Sequence, residues 1–156
     1  MIHSQAQVTG HMELLLLDRD GRVMERHDNH NQVVPFGQSL LLSALQGLTT
    51  TVSLTPYLGD ESANPASDEG IEGKGIFLLK ESEPLAPKQE RNRVVMGYRA
   101  VATNDIKVVG GGLAVTYRNK GSNKQLNGIY NFAKTRSAVE VRAEMPLMLN
   151  FTLSVA

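Results

Sequence analysis

From residue 75 onward this chain repeats every two residues, and that period restricts its fold more than any other feature. In "LNFTLSVA" (149–156), Leu149, Phe151, Leu153 and Val155 alternate with Asn150, Thr152 and Ser154. Successive side chains of a strand point to opposite sides, so the segment has one apolar face and one polar face. "GIFLLK" (75–80), "RVVMGYRAVAT" (93–103), "GLAVTYR" (112–118), "LNGIYNFA" (126–133) and "AVEVRAEM" (138–145) have strand character too. Turn signals at "GGG" (110–112), "NKGSNK" (119–124) and "KTRS" (134–137) separate them. Short strands at this spacing predict an all-β fold, mostly antiparallel, of β-sandwich or jelly-roll type. No internal repeat or composition break divides the 156 residues, so one domain spanning 1–156 is expected.

The first half adds a hairpin and a helix. "LLLLD" leads through "RDG" into "RVMER", and Gly21 can take the positive φ that a tight turn needs. Strands are expected at 11–18 and 22–28. The unbroken leucines predict a strand buried on both faces. In "PFGQSLLLSALQG" (35–47), Phe36, Leu40, Leu41, Ala44, Leu45 and Leu48 recur near one helical face, with Pro35 suited to the start and Gly47 to the cap. One short α-helix is expected at 36–46. Residues 59–75 hold five acidic residues, four glycines and a proline and read as a long surface loop. Asp60, Glu61, Asp68, Glu69 and Glu72 are oxygen donors, but the spacing of the known calcium loop is missing.

Lysine plus arginine balances aspartate plus glutamate at 16 each, which argues against a nucleic-acid partner, since such proteins carry excess positive charge. A near-neutral surface does little to oppose self-association. With no cysteine there is no disulfide framework and no thiolate chemistry. The start lacks an apolar signal core and no apolar run reaches membrane-spanning length, so neither export by a signal peptide nor membrane insertion is expected.

The densest chemistry lies in "RHDNHNQ" (26–32). A hairpin turning about residues 19–21 sets Leu17 opposite Arg22 and His11 opposite Asp28, to within a residue. His11, His27, Asp28 and His30 can then meet at its open end, and imidazole with carboxylate suits zinc or a similar ion. The plainer reading is a strand end bending into the helix, because His27 and His30 point to opposite faces and Asn and Asp favour turns. "VVGGGLAV" (108–115) meets neither phosphate-binding fingerprint. Glu81 and Glu83 sit in a proline-bearing loop, and no serine occupies a nucleophile elbow. No catalytic, cofactor-binding or metal residue is therefore assigned, no cofactor is expected, and the chain reads as a non-enzyme.

The opening "VTGHMELLLLDRDGRVMERHDNHNQVVPFGQSLLLSALQG" resembles that of small virion proteins of tailed bacteriophages. There a hairpin leads to an Asn-x-Val-Val/Thr segment, a glycine and a short helix ending in glycine. The matching positions are Asn31, Val33, Val34, Gly37 and the run Leu40 to Gly47. "PYLGDESANPA", the later "ERNR" and the closing "MPLMLNFTLSVA" are similar to that family's middle and end, while the 59–75 insert departs from its shortest members. The resemblance implies a structural role in the virion, after synthesis in the bacterial host cytoplasm. It implies assembly as a homo-oligomer with major capsid or tail proteins, as a capsid decoration (cement) protein or as a tail, neck or fibre-adaptor component. Residues 1–8 would be an extended arm. A receptor- or glycan-binding module is a further alternative.

Overall fold

The computed structural model describes residues 8–63 and 75–155. Its elements run β1 (Val8–Leu17), β2 (Val23–Val33), α1 (Pro35–Leu45), β3 (Thr49–Gly59), β4 (Ile76–Leu78), β5 (Glu83–Pro84), β6 (Lys88–Glu90), β7 (Arg93–Val101), β8 (Ile106–Asn119), β9 (Gln125–Ile129), β10 (Asn131–Val141) and β11 (Pro146–Val155). The strands join in one sheet ordered β4-β3-β8-β10-β2-β1-β11-β7-β5, with β6 on β7 and β9 on β8. Their pairings are antiparallel. The expected all-β class with one short helix is therefore the fold.

The sheet curls on itself into a half-barrel. Five strands separate β3 from β7, yet Thr51 and Leu54 of β3 line one apolar groove with Val94 and Met96 of β7. Only a curled sheet brings such distant strands together, and its concave face holds the core. Leu14 of β1 stands opposite Leu149 of β11, which stands opposite Tyr98 of β7, all three buried. The Tyr98 and Phe151 rings meet edge-on at 6.0 Å, a favourable geometry for their quadrupoles. Leu14, Leu15 and Leu16 are all buried, so β1 is covered on both faces as its leucine run predicts.

Several boundaries differ from the sequence expectation. "GGG" is not a turn: Gly110, Gly111 and Gly112 lie inside the fourteen-residue β8. They are needed for close approach, since a Cβ at Gly112 would collide with the Asn131 carbonyl oxygen. "KTRS" is a bulge within β10, where residues 135–138 swell out between Lys134↔Gly110 and Val139↔Val108. The expected strand 126–133 divides at Tyr130, whose N–H bonds the Leu113 carbonyl at 2.9 Å. β3, with its β-branched run "TTTV", was not expected, and of residues 75–80 only Ile76–Leu78 form a strand.

The helix is displaced by one residue from 36–46. Its end is a Schellman motif: Gly47 takes φ 71°, its N–H bonds the Ala44 carbonyl at 3.0 Å, and the Leu48 N–H bonds the Ser43 carbonyl at 2.9 Å. That turn carries Leu48 away from the core, correcting the expectation that Leu45 and Leu48 share the buried helical face. Val8, assigned to the arm, is already paired with Val155, and the remainder of that arm lies outside the described residues. So does most of loop 59–75, of which Gly59 belongs to β3 and residues 60–63 follow it.

Candidate functional site

The β1–β2 hairpin forms because Asp18 organises its turn. The Asp18 Oδ1 accepts from the backbone N–H of Asp20 at 2.9 Å and of Arg22 at 2.8 Å, and Gly21 takes φ 83°. An irregularity between Leu16 and Leu17 then resets the register, so that Leu17 faces Val23 rather than Arg22. His11 consequently pairs with His30, and Asp28 pairs with Glu13, two positions from the expected partner. An even offset keeps every side chain on its expected face. His11 and Asp28 therefore still meet on the convex face, diagonally, with Nε2 to Oδ1 at 2.9 Å. The His30 ring lies edge-on to His11 at 6.0 Å.

His27 does not join them. It shares the concave face with Leu14 and contacts Glu25 at 3.1 Å. Among the described residues no three His, Asp, Glu or Cys side chains converge to hold a metal ion. His11 and Asp28 are 42% and 47% exposed, so water screens the pair, which is worth about 0.2–1 kcal/mol when the histidine is charged. Of the acidic residues considered for calcium, Asp60 serves its own turn, accepting from the Ser62 N–H at 2.8 Å and hydroxyl at 2.6 Å. Asp68, Glu69 and Glu72 lie outside the described residues.

Two open grooves flank His11. One, about 410 Å³, runs over β11 and β7 beside Glu13, Met148 and Asn150, and Asn150 donates to Glu13 at 2.9 Å. The other, about 600 Å³, lies where β2 and β10 part after three paired residues, between His30, Gln32, Phe132, Lys134 and Arg136. Deeper in the wall Tyr57 is fully buried, and its hydroxyl donates to the Asn131 carbonyl at 2.6 Å. Burial drives its pKa far above the ordinary tyrosine range, so it serves as a structural donor.

A different surface lies at the helix end. Leu42, Leu45 and Leu48 are 62%, 84% and 53% exposed, and Val52 of β3 and Leu126 of β9, strands that α1 contacts, are exposed as well. Behind them an apolar groove of about 250 Å³ lies between Leu40, Leu41, Leu54, Met96 and Leu153. Sequence reasoning missed this surface because it placed Leu45 and Leu48 inside and overlooked β3. The threonine and valine run at 49–52 was the available signal.

No protein-family model, curated protein or solved structure matches this chain. What the sites can do follows from their chemistry. The histidine face offers a solvated ion pair between polar grooves, whereas the leucine end offers apolar surface that water opposes and a protein partner would cover.

Proposed function

We propose that this chain is a non-enzymatic structural component of a tailed-phage virion, foremost a capsid decoration (cement) protein, with a tail, neck or fibre-adaptor role as the alternative. The observation that carries the reading is the leucine end. Leu42, Leu45 and Leu48 together leave more than one whole leucine's surface in water, and Val52 and Leu126 on the strands that α1 contacts are exposed too. Such a patch is the mark of a contact surface rather than of a free-standing chain. The resemblance of residues 8–47 and of the closing segment to small virion proteins supplies the particle. Its partners are copies of itself and the major capsid or tail proteins.

The test is the copy number of this chain in purified particles, by quantitative mass spectrometry against the major capsid protein. One copy per capsid subunit, or per few, identifies decoration. A ratio lower by one or two orders of magnitude places it in the tail or neck. Absence from the particle overturns the proposal.

A further inference from the structure

β2 and β10 pair at Val33↔Asn131, Gln32↔Phe132 and Asn31↔Ala133, then part where β10 bulges at 135–138. Alternation sets Gln32, His30 and Asp28 on one side of β2 and Phe132 and Lys134 on the same side of β10. With Arg136 they line the groove of about 600 Å³ in this fork. Had the strands kept their register, Asp28 would stand opposite Arg136. Parted, Asp28 turns to His11 at 2.9 Å, and among the described residues neither Lys134 nor Arg136 makes an ion pair. The His30 ring meets the edge of His11, and neither its nitrogens nor the Gln32 amide group makes a hydrogen bond among the described residues.

The base of the fork is fixed and polar. Asn29, its amide turned so that the nitrogen donates, bonds the Lys134 carbonyl at 3.2 Å from one strand to the other. Phe132, partly exposed, rests on Gly110, where a Cβ would collide with the ring. Asn29, Asn31, Asn131 and Thr135 are the buried polar side chains among the described residues, and all four belong to these two strands. The Asn31 amide and the Thr135 hydroxyl have no protein partner, which is rare for buried groups. Unused hydrogen-bonding capacity thus gathers where the strands part.

We propose that this fork binds an acidic saccharide, a sugar unit carrying a carboxylate. The lining selects the ligand. Lysine and arginine side chains donate and never accept, so Lys134 and Arg136 call for an oxyanion, and the Arg136 fork matches a carboxylate with two parallel bonds. A bare anion would fill little of the groove and leave Gln32 and His30 unused. A peptide strand would need a regular edge to pair with, and the bulge breaks that of β10. Sugar hydroxyls both donate and accept, as the Gln32 amide and the His30 ring do, and a sugar's C–H face suits the partly exposed Phe132 ring. The groove also has the size of a small-molecule site.

The experiment is calorimetric titration of the full chain with a panel of uronic-acid and sialic-acid oligosaccharides, with neutral oligosaccharides of equal length and inorganic phosphate as comparisons. The expected result is saturable binding of an acidic member, weakened by added sodium chloride, and much weaker binding of the neutral sugars and of phosphate. Arg136→Gln and Lys134→Gln, both at exposed positions, should each weaken it at least about tenfold with unchanged circular dichroism, since each removes a charge-assisted bond. Lys124→Gln, in the turn between β8 and β9, should leave it unchanged. Should either groove variant fail to fold, the salt dependence and the neutral-sugar comparison on the wild-type chain decide. No binding by any acidic member at millimolar concentration overturns the proposal. So does equal binding of the neutral sugars or of phosphate, or binding that both groove variants retain in full. The site stands apart from the virion reading: copy number in particles and saccharide binding are separate measurements, and each can fail alone.

Discussion

Replacing Tyr57 by phenylalanine removes one oxygen from a fully buried ring in the sheet, and the resulting loss of stability should shrink between neutral and alkaline pH. Tyr57 is 0% exposed, and its hydroxyl donates to the Asn131 carbonyl at 2.6 Å. Phenylalanine keeps the ring packed against Val34, Ala114 and Ile129 but leaves that carbonyl without this donor. A lost bond of this kind costs about 1–3 kcal/mol at pH 7. At high pH part of this cost is offset. Burial raises the folded-state pKa of Tyr57 far above its unfolded value of about 10. Above pH 10 the unfolded chain releases this proton and the folded chain keeps it, so wild-type stability falls as pH rises. Linkage puts the loss at about 1.4 kcal/mol by pH 11 from this one group. Tyr57→Phe should therefore start less stable at pH 7 and lose about 1.4 kcal/mol less between pH 9 and pH 11. Tyr98 and Tyr130, also raised by burial, contribute equally to both proteins and cancel in the comparison. Urea titrations followed by circular dichroism at pH 7, 9 and 11 measure both quantities. Equal stability at pH 7 together with parallel alkaline loss would refute the buried hydrogen bond.

Two further outcomes follow from backbone and charge geometry. Gly112→Ala should destabilise the fold by about 2 kcal/mol or more, since its Cβ would meet the Asn131 carbonyl, whereas Gly21→Ala, with open space around it and φ 83°, should lose about 1 kcal/mol from backbone strain alone. Thermal melts of the pair check this, and equal losses would contradict a continuous β8. A double-mutant cycle on His11→Ala and Asp28→Ala, read by urea unfolding at pH 5.5, should give a coupling below about 1 kcal/mol, and a larger value would mean a more protected pair than their exposure indicates.

Much of this architecture can be read locally. Alternation in 93–103 and 149–156, the Asp-Gly turn and the Pro-to-Gly span of the helix each depend on residues within a few positions of one another. Local patterns of that kind report backbone conformation directly. The meeting of His11 and Asp28 was legible for the same reason, because an error of two positions in register leaves the face of a strand unchanged.

What the local pattern could not supply is which distant segment lies alongside. "GGG" has the composition of a turn, yet Asn131 and Phe132 press so closely on β8 that only glycine fits there. "KTRS" likewise reads as a break, and only pairing with β8 on both sides of it shows a bulge in one strand. Leu45 and Leu48 fit the apolar helical face by spacing, but the turn at Gly47 and the docking of α1 against β3 and β9 leave them in water. The hairpin, the alternating strands at 93–103 and 149–156 and the helix were thus decided by the sequence alone. The curl of the sheet, the separation of His27 from His11 and the exposure of the helix-end leucines were decided by contacts between residues far apart in the chain, which no short window of sequence contains.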